Sequence, residues 1–312
     1  MSVGLVSPPS WSGACYLLAL TLIWLGFSKN TRRRLSWAGL SLFVATLTFR
    51  MFTGGGGRFS SEQVGHSNVG SNALARLIHE RDLSGGASTL LSALSLLPER
   101  GDTLGTLFRD TYDEMDAAGD YAPSPLLSTL VLGQSPESFE MLRYRVDDSR
   151  GTVVFLHGYG GNIGAICWEV AQSAKEAGYE TLCPSTGTKG DWGSAQGGEI
   201  LRTTLDIAQG PVVLVGLSAG ARGAALLAPR FRRQIEGLVL IAGAAQRAGR
   251  AGVPTLVLYG RHDAMFSPRV MRAYVERTHA QSVVFEAGHF IVLSERERVR
   301  AAMTRFLEAR LR

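Results

Sequence analysis

The stretch that decides the fold is PVVLVGLSAGARGAALLAP, residues 211–229. Its first five residues form an apolar run that predicts a buried strand, and its alanine-rich end predicts a helix. Between them lies GLSAG, residues 216–220, in which a glycine stands two residues before and two residues after Ser218. These glycines permit a sharp turn that presents the serine hydroxyl at the N-terminus of a helix. The helix dipole favours negative charge at that position.

The alternation of strand and helix extends from about residue 138 to the C-terminus. Helices are predicted over 163–177, 194–208, 268–280 and 294–312. The other predicted strands are SFEMLRYRV, GTVVFLHG, YETLCP, GLVLIAG, VPTLVLYG and QSVVFE. Apolar strands that alternate with helices predict a mostly parallel sheet with helices on both faces. Ligands of such sheets bind at the carboxyl ends of the strands.

Three further motifs lie at the ends of predicted strands. HGYGG, residues 157–161, ends the strand GTVVFL, YGRHD, residues 259–263, follows VPTLVL, and AGHF, residues 287–290, follows QSVVFE. A parallel sheet gathers all of them with GLSAG at one edge. A serine, an acid and a histidine that meet at one edge are groups suited to nucleophilic catalysis.

The four motifs together resemble those of the α/β-hydrolase superfamily, and the resemblance covers residues 138–312. It implies an α/β-hydrolase fold with Ser218 as the nucleophile, Asp263 as the orienting acid and His289 as the base. The implied activity is cleavage of an ester or related acyl compound through an acyl-enzyme intermediate. Two alternatives remain open, namely a peptidase or amidase with the same triad, and a catalytically silent hydrolase fold that serves as a binding module.

The resemblance also assigns the residues around the nucleophile. It implies an oxyanion hole formed by the backbone N–H groups of Tyr159 and Ala219. His157 is expected to be a turn histidine without a role in proton transfer. His262 is expected to be structural, with its side chain directed away from the site.

No cofactor, metal or nucleic-acid partner is predicted. The chain has no HExxH motif and no P-loop, and GYGGNIG, residues 158–164, has Ile163 where a dinucleotide fingerprint requires its third glycine. The net charge is +5 and the pI is about 9.3, but the basic residues are mostly arginines scattered through the chain. The expected partners are a small-molecule or lipid-like acyl substrate and a membrane.

Residues 1–53 are predicted to anchor the chain in a membrane. WSGACYLLALTLIWLGF, residues 11–27, and LSWAGLSLFVATLTF, residues 35–49, carry no charge, and SKNTRRR between them carries four positive charges. This pattern favours a membrane hairpin with its basic loop in the cytoplasm and the hydrolase domain on the other side. Two buried core helices are the alternative.

Residues 54–137 are predicted to be a linker and a helical segment, followed by the hydrolase domain over 138–312. SNALARLIHERDL places Leu74, Leu77 and Ile78 on one face of an amphipathic helix. The connection AAQRAGRAG between two predicted strands is too short for a lid domain. Residues 60–135 are therefore expected either to cover the active site or to act as a spacer.

The chain has three cysteines, Cys15, Cys167 and Cys183, without CxxC or metal-ligand spacing. Cys167 and Cys183 are expected to be buried free thiols, with pairing as the alternative for an exported domain.

Overall fold

A single eight-stranded sheet forms the centre of the fold. The computed structural model describes residues 11–27, 33–52, 57–66, 79–84, 101–126, 129–130 and 133–311. The strand order is β1-β2-β4-β3-β5-β6-β7-β8, with β2 antiparallel to both neighbours and β3 to β8 parallel. The strands are β1 (Phe59–Gly65), β2 (Ser138–Tyr144), β3 (Gly151–Leu156), β4 (Tyr179–Pro184), β5 (Val212–Leu217), β6 (Gly237–Ile241), β7 (Thr255–Gly260) and β8 (Gln281–Phe285).

Helices cover both faces of the sheet. The helices that pack on the sheet are α3 (Gly101–Ala117), α4 (Gly164–Glu176), α5 (Ala195–Ile207), α6 (Ala219–Phe231), α7 (Pro268–Thr278), α8 (Ile291–Ser294) and α9 (Arg296–Glu308). The N-terminal helices α1 (Trp11–Phe27) and α2 (Arg33–Phe52) pack mainly on each other. Successive residues of a strand face opposite sides, so Phe155 packs in the core beneath α3, α4 and α9, and Leu156 in the core beneath α5 and α6. This arrangement confirms the predicted mostly parallel sheet with helices on both faces.

Strand β1 was not predicted, because its residues were expected to be helical in part. Phe59–Gly65 pairs with β2 along its whole length and forms one edge of the sheet. Its sequence, FSSEQVG, is mostly polar and only Phe59 is fully buried. An edge strand needs one partner and little apolar surface, so its pattern of hydropathy carries a weak signal.

The segment between β1 and β2 contributes to the main core. Phe108 and Tyr112 of α3 lie in the same apolar cluster as α4 and α9. The buried carboxylate of Glu80 accepts hydrogen bonds from the amides of Gly164 and Ala165, at 2.6 and 3.0 Å, and so caps the start of α4. A spacer would make no such contacts, so the spacer interpretation is wrong for this part. Leu74, Leu77 and Ile78 lie outside the described residues.

The two N-terminal apolar stretches form helices that pack on each other. The rings of Trp11 and Phe49 are 5.2 Å apart, and those of Tyr16 and Phe43 are 5.4 Å apart. In the ranges that the structure describes, no helix combines the length and the apolar character required to cross a membrane. The two helices pack on each other, but the expected membrane hairpin finds no support.

The prediction of free thiols at Cys167 and Cys183 is wrong, because the two residues form a disulfide. Cys167 lies in α4 and Cys183 lies in β4, on which α4 packs. This packing brings their Cα atoms to 6.3 Å, within the range that a disulfide spans. The pairing depends on how the helix docks on the sheet.

Candidate active site

Ser218 occupies a strained turn between β5 and α6. Its backbone has φ 54° and ψ −115°, a conformation that residues other than glycine rarely adopt. Its N–H donates to the carbonyl of Ile241 at 2.8 Å, and its own carbonyl accepts from Arg222 N at 3.0 Å. Such a conformation costs about 1–3 kcal/mol and persists only where the surrounding structure enforces it.

The glycines around Ser218 are required by close packing. A Cβ on Gly216 would lie 2.5 Å from the carbonyl oxygen of Gly220. A Cβ on Gly220 would lie 2.0 Å from the carbonyl oxygen of Leu156 in β3. Both distances are far below van der Waals contact, so α6 approaches the sheet this closely only without side chains there.

Asp263 and His289 form a buried hydrogen-bonded pair. His289 Nδ1 lies 2.8 Å from Asp263 Oδ2, and both side chains are at most 5% exposed. The other oxygen, Oδ1, accepts from the amides of Met265 and Phe266 at 2.9 and 2.7 Å. The carboxylate is thus fixed on three sides. It favours the imidazole tautomer that carries its proton on Nδ1, which leaves Nε2 able to accept a proton.

The three predicted catalytic residues follow β5, β7 and β8 at the carboxyl edge of the sheet. The structure joins Asp263 to His289 directly. In the described part of the chain, the Ser218 hydroxyl makes no hydrogen bond to His289. Hydrogen bonds between nucleophile and base are often long without substrate and tighten in the reacting complex.

The predicted oxyanion-hole residues flank Ser218. A Cβ on Gly158 would lie 3.2 Å from Ser218 Cβ, so the loop that holds Tyr159 passes directly beside the serine. Within the ranges described, the backbone N–H groups of Tyr159 and Ala219 donate no hydrogen bond to the protein. Two unengaged amides on either side of a serine are suited to bind a negatively charged oxygen.

His157 is buried and supports this loop. Its Nε2 accepts from the amide of Thr186 at 3.1 Å, and its Nδ1 donates to the carbonyl of Gly158 at 2.8 Å. Burial lowers the pKa of His157 to about 4, so the ring is neutral near pH 7. A ring with both nitrogens engaged agrees with the expected absence of a proton-transfer role.

His262 lies on the surface, as expected for a structural neighbour. Its Nε2 is 3.2 Å from Glu286 Oε2, and both side chains are about two-thirds exposed. The Arg261 guanidinium binds the same carboxylate and is the main reason that the pKa of Glu286 is lowered. This surface cluster directs His262 away from the Asp263–His289 pair.

Asn162 is a residue of the site that the sequence analysis missed. It is fully buried, and its Nδ2 donates to the carbonyl of Cys183 at 2.7 Å and to Ser185 Oγ at 3.0 Å. Its position directly after the glycines of HGYGG is the signal that was available.

No metal centre is present among the residues with a described position, where no three His, Cys, Asp or Glu side chains are grouped to hold an ion.

No family model and no curated protein matches this chain. Similar solved structures include a predicted CIB-like hydrolase from Thermoplasma acidophilum, at 17% identity and a TM-score of 0.46, covering 55% of this chain and 93% of that one. The Pyrococcus furiosus esterase has 15% identity and a TM-score of 0.48, covering 57% and 90%. The monoacylglycerol lipase of Paleococcus ferrophilus has 14% identity and a TM-score of 0.49, covering 55% and 99%. At these values the similarities support no conclusion about activity or substrate.

Proposed function

We propose that the protein is a serine hydrolase that cleaves an ester or related acyl compound through an acyl-enzyme intermediate. The buried hydrogen bond between Asp263 and His289, at the sheet edge that presents Ser218, is the observation that carries this proposal. A buried carboxylate that fixes one imidazole nitrogen leaves the other available as a base. The strained backbone of Ser218 adds support, since such strain concentrates at functional sites.

In the proposed reaction, His289 Nε2 removes the proton of Ser218 as Oγ attacks the acyl carbon. The N–H groups of Tyr159 and Ala219 bind the oxyanion of the tetrahedral intermediate. His289 then returns the proton to the leaving alcohol, and Ser218 remains acylated. Water, activated by the same histidine, releases the acid and restores the serine.

The proposal also places the hydrolase domain in an oxidising compartment, attached to a membrane. The buried Cys167–Cys183 disulfide supports the first part, because disulfides persist mainly outside the reducing cytosol. The helix pair supports the second, because its aromatic residues Trp24, Phe27 and Trp37 are more than half exposed. Arg33 and Arg34 flank this surface with positive charge. Release of the full-length protein by a carbonate wash would count against attachment.

Labelling with a fluorophosphonate probe tests the chemistry directly. The full-length protein is expected to react covalently at Ser218, and Ser218→Ala is expected to abolish labelling and hydrolysis while the fold survives. Parallel panels of esters, thioesters and peptides then define the leaving group. Labelling that persists in Ser218→Ala would remove this residue from the role, and cleavage of peptides alone would replace the ester proposal by a peptidase.

A further inference from the structure

The loop that carries the proposed oxyanion donor has little intrinsic rigidity. This oxyanion loop, defined as residues 157–162, contains Gly160 at φ 101° and Gly161 at φ 107°. Glycine loses more conformational freedom on ordering than any other residue. A loop of this composition therefore holds one position only through contacts with its surroundings.

Those contacts converge on residues 183–188, the chain that ends and follows β4. Asn162 Nδ2 donates to the carbonyl of Cys183 at 2.7 Å, and Gly160 N donates to the carbonyl of Thr188 at 2.7 Å. His157 Nε2 accepts from the amide of Thr186 at 3.1 Å. The side chains of Asn162 and His157 are buried, so their bonds to Cys183 and Thr186 form away from bulk water.

The disulfide joins the two structures that border the loop. Cys183 supplies the carbonyl that binds Asn162, and Cys167 lies in α4, which begins at Gly164 directly after the loop. The covalent bond therefore limits movement of the chain that receives the loop relative to the helix that continues it.

We propose that Asn162 and the Cys167–Cys183 disulfide position the oxyanion loop for turnover. Asn162 is thus a positioning residue that acts through the backbone of Tyr159, and this inference rests on the proposed function. The oxyanion exists only in the transition state and the intermediates, so displacement of its donor lowers kcat with little effect on KM. Loss of one such donor lowers kcat by about 10²- to 10³-fold, and partial displacement is expected to cost about 10- to 100-fold.

Three variants of the full-length protein test this proposal. Asn162→Ala removes the hydrogen bonds of the side chain, and Cys167→Ser/Cys183→Ser removes the disulfide. Thr152→Val is the matched control, because buried Thr152 exchanges two hydrogen bonds with the Gln209 backbone at the opposite end of β3. Each is assayed below its own unfolding temperature for kcat, KM and affinity for a trifluoromethyl ketone, which forms an oxyanion on the serine.

The proposal expects both test variants to lose kcat and ketone affinity by the same factor, about 10- to 100-fold, with KM within about twofold. Thr152→Val is expected to keep the kcat, the KM and the ketone affinity of the wild type. A kcat within twofold of wild type in Asn162→Ala overturns the proposal, as does an equal loss in Thr152→Val, because a general loss of stability would then explain the effect.

Hydrogen exchange of the peptide spanning residues 157–163 separates this inference from the proposed function. Faster exchange in both test variants, but not in Thr152→Val, supports the positioning role even if the wild type cleaves no ester. Unchanged exchange in both test variants overturns it. Absence of ester cleavage and of probe labelling in the wild type refutes the proposed function instead.

Discussion

Replacement of Gly220 by alanine tests the packing that creates the strained turn. The new Cβ would lie 2.0 Å from the carbonyl oxygen of Leu156 and 2.5 Å from that of His157. Real Cβ contacts are rarely shorter than 3.0 Å, so β3 and α6 must separate by about 1 Å. Both oxygens belong to the backbone and are unable to rotate away as a side chain would.

The substitution is expected to lower both the free energy of unfolding and kcat/KM. Overpacking a tight contact destabilises by about 1–3 kcal/mol, and the helix propensity of alanine offsets about 1 kcal/mol of this. A 2.0 Å approach to a backbone oxygen lies at the upper end of the overpacking range, so the net loss in the free energy of unfolding is about 2 kcal/mol. Ser218 lies two residues earlier in the chain, and its displacement by about 1 Å is expected to lower kcat/KM by about 100-fold.

Urea denaturation measures the loss in the free energy of unfolding, and ester hydrolysis measures the loss in kcat/KM. Gly187→Ala and Gly249→Ala are matched controls, because a Cβ at either position meets no atom within 4 Å and neither residue has a positive φ. Both controls are expected to stay within about 0.5 kcal/mol of wild type. The packing argument is refuted if Gly220→Ala also stays within that limit and retains full kcat/KM.

Three further outcomes are expected. Asp263→Asn lowers kcat/KM by about 10⁴-fold, because the amide favours the wrong imidazole tautomer; equal rates for this variant and wild type, by initial-rate kinetics, would exclude Asp263 from the triad. Burial lowers the pKa of His157 from 6.5 to about 4. Between these two pH values the imidazole is therefore protonated in the unfolded chain and neutral in the folded protein. The free energy of unfolding then falls as pH drops from about 6.5 to about 4, by up to about 1.4 kcal/mol per pH unit; urea titrations of wild type and His157→Gln should differ in this window, and parallel pH profiles would contradict the assignment. Cys167→Ser/Cys183→Ser loses about 3 kcal/mol, as expected for cysteines 16 residues apart; an unchanged urea midpoint would show that the disulfide adds no stability.

The central strands and helices were predictable because their signals are local. Runs such as PVVLV and GLVLI are buried on both faces, so almost every residue is apolar. The helix predicted over 163–177 forms at Gly164–Glu176 for the same reason. Strand β1 gave no such signal, since most of its side chains are only partly buried at the sheet edge.

The last helix shows the limit of local signals. Residues 294–312 were expected to form one helix, but helical structure already begins in α8 (Ile291–Ser294), and α9 starts at Arg296. The side chains of Ile291, Val292 and Leu293 are all buried. The tertiary packing of these apolar residues beside His289 decides where the helices begin and end.

The amino-acid sequence by itself determined which residues form strands β2 to β8, and it determined that a serine, an aspartate and a histidine follow strand ends in that order. Both properties depend on the periodicity of hydropathy and on short turn motifs, which act within about ten residues. The tertiary structure alone decided which distant groups meet. The Asp263–His289 hydrogen bond, the Cys167–Cys183 disulfide and the contact of Asn162 with Cys183 join residues 26, 16 and 21 positions apart. Such contacts depend on strand order, on register and on the docking of α4 against β4, because only the folded sheet brings these separate segments to one edge.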